Sequence, residues 1–327
     1  MIFTINSDHD VSKSDNIVKR CCTDAFERLL VMIRQETTTY ATRDYIKRRR
    51  KRSCEEYSSM SGNIVDDDTV DATFRGKMCQ WSYRICDHFG TNREIVSFAF
   101  SFLDRFIDQY NCDRAGFKLA AMTSMYIAAK MMNVKILQIG SLVEMCHGEF
   151  QAHQFLQMER IILSALEFRM NPPTIQGFIE QLCVFLPTMD EKIASDVFSR
   201  AIFYAELSTY DYRFAPQSNC HIAIGCILNA IFDCYDDKQI AEIVQATFLT
   251  TACTKFGDHL DLCAMQEIQE RLWFLYNCSI ESSYDAVQHD MHHQTALPFK
   301  YPVSIRRDRD RFSPVSVAKR ICGSPQR

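Results

Sequence analysis

Glycine and proline are scarce in this chain of 327 residues, which contains 10 glycines and 8 prolines. Average usage would give about 23 and about 16 in this length. Because tight turns and hairpins depend on these two residue types, the scarcity argues against a protein built from short strands. Hydrophobic residues make up 47% of the chain, which is enough apolar material for two domains. The composition favours an all-helical protein.

Sequence patterns of common enzyme and metal sites are also missing. The chain has no GxGxxG, no GxxxxGK[ST], no nucleophile elbow and no CxxC pair with metal-ligand spacing. His147 and Glu149 form an HxE pattern, but the PCxxC that accompanies it in zinc deaminases is absent. His289, His292 and His293 could bind a metal loosely, although their polar surroundings favour solvated side chains. We therefore expect no catalytic activity, no cofactor and no metal.

Long apolar runs are absent as well. The segment FKLAAMTSMYIAAKMMN, residues 117 to 133, is shorter than the roughly 18 apolar residues that a membrane span requires. No secretory signal is visible near Met1. Fifteen cysteines, an odd number and mostly scattered singly, suit reduced thiols. We expect a protein that stays inside the cell and does not engage a membrane.

Charge is distributed unevenly along the chain. Residues 1 to 52 carry 12 basic and 7 acidic side chains, and residues 300 to 327 carry 8 basic and 2 acidic ones. The remainder has 17 basic and 32 acidic side chains. Because an acidic body repels phosphate backbones, direct binding of nucleic acid is not expected.

Apolar residues recur with helical spacing along most of the chain. A lead helix is predicted around Phe26, Leu29, Leu30 and Ile33. Five helices are then predicted between residues 72 and 168, and the second is expected to begin at Thr91 with a capping box.

The pattern stops at Pro172 and Pro173 and then restarts. A helix, a tight link and a central apolar helix recur in the second half, which suggests two copies of one five-helix unit. The predicted divisions are an arm with the lead helix and a basic run at 1 to 70, a first unit at 71 to 171, a second unit at 172 to 282, and a disordered basic tail at 283 to 327.

Several short motifs resemble one family. FLDRF at 102 to 106, MYIAAK at 125 to 130 and MERIILSALEF at 158 to 168 resemble the cyclin box, and RMNPPT followed by GFIEQL resembles the hinge into a cyclin's second box. The resemblance covers roughly residues 72 to 280, and the lead segment is similar to that of divergent algal cyclins. It implies two stacked five-helix domains and a protein that regulates a kinase without being an enzyme.

The resemblance also implies a set of kinase-binding residues. Lys130 and Glu159 match the lysine and glutamate through which cyclins contact the kinase's regulatory helix, Phe117 matches a leucine that packs on the kinase, and Arg75 matches the arginine that opens the first helix. Read from the residues alone, Lys130 could simply complement a helix dipole, and Phe117 could be ordinary core. Gln80 replaces the aspartate that usually braces the arginine, so we expect a weaker internal brace.

One surface function follows from the same resemblance. A groove that docks substrate peptides would be formed by Phe74, Lys77, Met78, Trp81, Phe117 and Lys118. Lys77 stands where an apolar residue is usual, so this docking is an open question.

Signals for transport and modification are expected in the two basic arms. KRRRKR, formed by Lys47, Arg48, Arg49, Arg50, Lys51 and Arg52, resembles a nuclear import signal, and the alternative is a solvated charge run. Ser313 and Ser324 each precede proline and are candidate phosphorylation sites. We expect a nuclear protein that shuttles with the cytoplasm.

Together these observations predict a cyclin that binds and activates a cyclin-dependent Ser/Thr kinase in cell-cycle control, with kinase substrates or inhibitors as further partners. The alternative is a transcription-related cyclin, or a cyclin-fold transcription factor or scaffold that does not activate a kinase.

Overall fold

The computed structural model describes residues 8 to 48, 70 to 134, 137 to 187 and 190 to 289. All regular structure in these ranges is helical, which confirms the all-α prediction. A lead helix, α1 (Asp8–Thr38), precedes a first unit that comprises α2 (Ala72–Phe89), α3 (Glu94–Gln109), α4 (Arg114–Met131), α5 (Ile139–Met145) and α6 (Ala152–Ala165).

A second unit follows the Pro172–Pro173 hinge. It comprises α7 (Ile175–Leu182), α8 (Glu191–Tyr210), α9 (Asn219–Cys234), α10 (Lys238–Phe256) and α11 (Leu262–His289). Each unit therefore contains five helices, as predicted. The last helix continues past residue 282, where the tail was predicted to begin, and residues 290 to 327 lie outside the described ranges.

Each unit has its own hydrophobic core around a central helix. In the first unit the central helix is α4, in which Ala120, Ala121 and Ala128 are almost completely buried. In the second it is α9, in which Ile224 and Ile227 are fully buried. Small or branched apolar side chains on most faces let neighbouring helices pack around each central helix. The near-continuous apolar runs of these two segments are thus explained by burial.

Polar side chains fix the beginnings of several helices. Asp71 accepts a hydrogen bond from the backbone N–H of Phe74 at 2.7 Å, and Asp113 accepts one from Gly116 at 2.7 Å. Such caps satisfy backbone donors that have no partner within the helix. They define where α2 and α4 start.

The capping box predicted at Thr91 is wrong. The hydroxyl of Thr91 donates back to the carbonyl of Cys86 at 3.4 Å, and α3 begins at Glu94. Asn92 accepts from the backbone N–H of Glu94 at 2.9 Å. The carboxylate of Glu94 accepts a hydrogen bond from Thr174 at 2.8 Å, which links α3 to the start of the second unit. The side chain of Glu94, which the local pattern assigned to a capping box with Thr91, therefore bonds to Thr174 instead.

The lead segment joins both units. Leu29 and Ile33 of α1 are buried in the second core, whereas Tyr45 and Ile46 are buried in the first. Between them, the hydroxyl of Thr42 donates to the carbonyl of Ala215 at 2.6 Å. The lead helix was predicted from its apolar spacing, but its position across the two units was not. No helix in the described ranges has the length and apolar character needed to span a membrane.

Candidate partner-binding site

Lys130 and Glu159 meet where α4 packs against α6. Lys130 lies in the last turn of α4, and its Nζ is 2.7 Å from Oε1 of Glu159 in the middle of α6. Residues separated by 29 positions are thus brought together by helix packing. The structure places side by side the two residues that the sequence suggested as one contact site.

The two side chains differ in exposure. The side chain of Glu159 is 11% exposed and that of Lys130 is 52% exposed, because Lys130 lies where α4 reaches the surface. The Nζ of Lys130 also lies 5.1 Å from the ring centroid of Tyr126, one turn earlier on α4. The hydrogen bond to Glu159 raises the pKa of Lys130, although burial partly opposes this. Lys130 is therefore a charged surface group, and the nearly buried carboxylate of Glu159 holds it in position.

A groove opens beside this ion pair. Its volume is about 590 Å³, and it is lined by Tyr126, Lys130, Asn133, Val134, Leu137, Gln138, Ile139 and Gly140. Two large apolar side chains near the pair are exposed, Met131 by 40% and Leu156 by 48%. Exposed apolar groups around a fixed charge are typical of protein interfaces.

Sequence reasoning did not identify Tyr126 and Leu156. Tyr126 precedes Lys130 by four residues and Leu156 precedes Glu159 by three, which are spacings that share a helix face. That spacing was a usable signal, but their exposure depends on the tertiary structure. We call Tyr126, Lys130, Leu156 and Glu159 the charged-pair surface.

The other two residues assigned to kinase binding lie inside the chain. Phe117 is 0% exposed, and its ring packs edge-on against Phe74 at a centroid distance of 5.7 Å. Arg75 is 2% exposed. In this structure Phe117 is an ordinary core residue. Kinase contact through Phe117 or Arg75 stays a prediction, and the burial of both side chains does not favour it.

Arg75 forms a strong internal brace, which corrects the expectation of a weak one. Its Nε and Nη2 donate to the two carboxylate oxygens of Asp104 at 2.9 and 2.7 Å, and its Nη1 donates to the carbonyl of Thr209 at 2.9 Å. The hydroxyl of Tyr45 also donates to Asp104, at 3.0 Å. Burial is the largest influence and lowers the pKa of Arg75, but the charge and hydrogen bonds of Asp104 outweigh it and raise the pKa. The carboxylate missing at Gln80 is supplied by α3.

The predicted docking groove combines buried and exposed positions. Met78 is buried, Phe74 and Trp81 are half-buried, and Lys77 is exposed. Lys118 forms an ion pair with Glu149. The exposed charge at Lys77 agrees with the doubt raised from the sequence, and docking itself stays a prediction.

Only the beginning of the basic run is described. Arg48 pairs with the carboxylate of Asp108 and donates to its carbonyl at 3.0 Å, so this arginine is held on α3. Lys47 is exposed. Residues 49 to 52, Ser313 and Ser324 lie outside the described ranges. Within those ranges, no group of three or more histidine, cysteine or acidic side chains could hold a metal ion.

Comparison with known proteins identifies the family. Residues 41 to 171 match the family model described as the cyclin N-terminal domain. Residues 41 to 171 are therefore a cyclin N-terminal domain. The match covers α2 to α6 and includes both residues of the ion pair. The resemblance seen in the sequence motifs is thereby confirmed.

Curated relatives support the same family. The chain is 29% identical to human Cyclin-O over 163 residues, which cover 48% of this chain and 46% of Cyclin-O. It is 28% identical to Cyclin-O protein B of Xenopus laevis over 50% of this chain and 47% of that protein. It is 24% identical to the G1/S-specific cyclin-D2 of Rattus norvegicus over 61% of this chain and 68% of that protein. The aligned segments span about half the length of the Cyclin-O proteins.

Two solved structures are similar at low sequence identity. A viral cyclin from herpesvirus saimiri matches with a TM-score of 0.44 and 17% identity, over 57% of this chain and 87% of that one. A CAK complex from Chaetomium thermophilum bound to ATP-gamma-S matches with a TM-score of 0.46 and 16% identity, over 68% and 69% of the two chains.

Proposed function

We propose that this cyclin is a non-catalytic regulatory subunit that binds and activates a cyclin-dependent Ser/Thr protein kinase in cell-cycle control. The observation that supports this most is the charged-pair surface, where a fixed ion pair, exposed apolar side chains and an open groove occur together. The partner is the kinase catalytic subunit, and the site of action is the nucleus. Names of relatives such as G1/S-specific cyclin-D2 agree with this role without assigning a phase to this chain.

The ion pair has hydrogen-bonding capacity left for a partner. A lysine ammonium has three donors and a carboxylate two acceptor oxygens, and their mutual bond uses one of each. Backbone carbonyls and N–H groups of a partner segment can therefore bond to both residues at once. Because the carboxylate is already positioned in the free chain, little side-chain order is lost on binding.

Activation would work by a shift in conformational populations. The first unit binds the kinase's mobile regulatory helix in its inward position, where a catalytic Lys-Glu pair forms and the activation loop opens. The cyclin contributes binding free energy to the active state and takes no part in phosphoryl transfer.

A double substitution tests the surface directly. Lys130→Ala with Glu159→Ala should cost about 2 to 5 kcal/mol of kinase binding, because both groups become enclosed in the complex. The measurement is copurification with a coexpressed kinase subunit, followed by histone-directed kinase activity. We expect activity with the native chain and none with the variant.

Two further variants separate binding from folding. Lys118→Ala with Glu149→Ala removes an ion pair that involves the opposite end of α4, and should leave kinase binding unchanged. Lys130→Glu with Glu159→Lys keeps an internal ion pair but inverts the charges offered to a partner, so it should fold and fail to bind. Full activity of Lys130→Ala with Glu159→Ala, or of the charge-inverted variant, would refute the assignment of this surface. Absence of kinase from the native chain would favour the scaffold alternative.

A further inference from the structure

Helix α10 packs on the second core with one face, and its opposite face is exposed. The packed face consists of the buried residues Ala241, Phe248, Ala252 and Phe256. The exposed face consists of residues three or four positions apart, which share one side of a helix: Ile240, Ile243, Thr247, Thr250 and Thr254. We call these five residues the α10 stripe. Its two isoleucines are 47% and 66% exposed, so the stripe leaves large apolar side chains in water.

The threonines of the α10 stripe add to its apolar character. The hydroxyls of Thr247, Thr250 and Thr254 donate to the backbone carbonyls four residues earlier, at 2.8, 2.7 and 2.7 Å. Because each hydroxyl proton is used within the helix, these side chains need no acceptor in a covering segment. No member of the stripe is charged. Covering it would remove apolar area from water without leaving a polar donor unpaired.

Helix α11 leads the chain out of the second unit at the end of α9. The two helices run parallel, since Asn229 donates to the carbonyl of Gln269 at 2.9 Å and, further along both helices, Tyr276 donates to the carboxylate of Asp233 at 3.0 Å. Helix α11 therefore continues past the end of α9, which is where the chain turns into α10.

The isoleucine end of the stripe lies near this exit. The ring of Phe232, close to the end of α9, lies 5.6 Å from the ring of Trp273 on α11. The same ring lies 4.5 Å from the Nζ of Lys238, the first residue of α10. Ile240 and Ile243 follow within the first two turns of α10. Thus α11 and the start of α10 contact one side chain in common.

The chain beyond α11 is long enough to return to the stripe. From Tyr276 to its end at His289, α11 rises by about 20 Å. The next residues, 290 to 297, span at most about 28 Å when extended. Leu297 can therefore lie level with the start of α10. Residues 290 to 327 themselves lie outside the described ranges.

The segment LPFKYPVSI, residues 297 to 305, has a pattern that suits the stripe. Every second residue in it is apolar: Leu297, Phe299, Tyr301, Val303 and Ile305. This alternation places the apolar side chains on one side of an extended chain, and Pro298 and Pro302 disfavour a helix. In extended form the segment covers about 26 Å, and the stripe from Ile240 to Thr254 is about 21 Å long, so the lengths are similar.

Charge favours one direction of docking. The run that follows the segment, residues 306 to 311, contains four arginines and two aspartates. A helix carries partial negative charge at its C-terminal end, where α10 is followed by the exposed Asp258. The lysine at this end, Lys255, lies over the rings of Phe26 and Phe185 at 5.7 and 5.1 Å. The basic run is therefore better placed at the end of α10 than at its positive start.

We propose that residues 297 to 305 dock in an extended conformation on the α10 stripe, with Leu297 beside Ile240 and Ile305 beside Thr254. The docked segment covers both exposed isoleucines and holds the basic run at the second unit. The contact is intramolecular. It lies on a different unit from the charged-pair surface and does not rest on the proposed kinase binding.

Limited digestion of the full chain with chymotrypsin tests the proposal. This protease cleaves after phenylalanine, which occurs inside the segment as Phe299 and beyond it as Phe312. Mass spectrometry gives the two cleavage rates, and a synthetic peptide of residues 290 to 327 gives the same rates without docking. We expect the ratio of cleavage after Phe299 to cleavage after Phe312 to be about tenfold or more lower in the full chain, because a docked backbone is cleaved only when it opens.

Substitutions connect the protection to the stripe. Ile243→Lys should return the ratio to that of the peptide, since a charge replaces the more exposed isoleucine and repels the basic segment. Val31→Lys makes the same kind of change at a 55% exposed residue of α1 and should leave the protection intact. If circular dichroism shows that Ile243→Lys does not fold, Thr250→Lys replaces it.

Two other results would overturn the proposal. One is a Phe299 bond that is as accessible in the native chain as in the peptide, or protection that survives both Ile243→Lys and Thr250→Lys. The other is protection that disappears on dilution, because an intramolecular contact does not depend on concentration. That result would assign the stripe to a second copy of the chain.

Discussion

At the scale of single residues, three arginines and a lysine show how burial decides the role of a charge. Arg75 is enclosed and has a bidentate carboxylate, whereas Arg105 is enclosed and, among the described residues, donates to carbonyl acceptors alone. Arg93 pairs with Glu206 at 2.7 Å and thereby links the two units. Lys130 is half-exposed and is positioned by a nearly buried glutamate. Similar side chains therefore serve as an internal brace, a buried donor to backbone carbonyls, an ion pair between units and a candidate partner contact.

Asp104→Asn tests the internal brace. The amide keeps the shape of the side chain but leaves Arg75 as an uncompensated buried charge, which should lower the free energy of unfolding by about 3 to 5 kcal/mol. Urea denaturation measures this change. Glu149→Gln, which breaks the more exposed pair with Lys118, should cost less than about 1 kcal/mol. Equal losses in the two variants would show that the buried pair is not a principal brace.

At the scale of helices, two boundaries obey the local capping rule and one does not. Asp71 and Asp113 cap α2 and α4 because each is a short acidic side chain directly before a helical pattern. Thr91 satisfied the same local rule but turned back to Cys86. Local rules succeed where no distant group competes for the capping side chains, and fail where one does.

A second helix-scale feature is a cap supplied from outside the helix. The carboxylate of Glu36 on α1 accepts hydrogen bonds from the backbone N–H groups of Asn219 and Cys220 at the start of α9. A carboxylate is favourable at a helix N-terminus. Burial is nevertheless the largest influence and raises the pKa of Glu36, although these hydrogen bonds oppose it.

Glu36→Gln should therefore change how stability depends on pH. Because the pKa of Glu36 is higher in the folded than in the unfolded chain, its contribution is greatest below the unfolded value near 4.5 and declines as pH rises through the folded value. The stability of Glu36→Gln relative to the native chain should accordingly rise with pH from about 4.5 upwards. Urea denaturation across this range measures it. The exposed Glu27→Gln on the same helix should show no such trend, and a trend of opposite sign for Glu36→Gln would contradict the assigned shift.

At the scale of the whole molecule, two hydrophobic cores are joined by polar and apolar ties. The lead segment enters both cores, and Arg93 and Arg75 of the first unit bond to Glu206 and Thr209 of α8. Loss of either unit would leave these partners exposed or unpaired. We therefore expect the units to unfold together.

The two tryptophans make this expectation testable. Trp81 packs against the first core and Trp273 against the second. Trp273→Phe leaves a fluorescence reporter in the first unit, and Trp81→Phe leaves one in the second. In each single-tryptophan variant, the urea midpoint by fluorescence should coincide with the midpoint by far-ultraviolet circular dichroism. A fluorescence transition displaced from the circular dichroism transition in either variant would show that the units unfold separately.

The sequence by itself determined the helical class, the five helices of the first unit, the recurrence of that pattern in the second, the break at Pro172 and Pro173, and Lys130 and Glu159 as a candidate pair. These features depend on helical periodicity, on proline geometry or on a family motif, all of which are readable locally. The tertiary structure alone decided that Asp104 partners Arg75, that Phe117 is enclosed, that Lys130 reaches the surface, and that the buried Arg105 donates to the carbonyls of Ser101 and Arg169. The physical reason is that pairing and exposure depend on which helix faces meet, and this is set by packing among segments far apart in the chain.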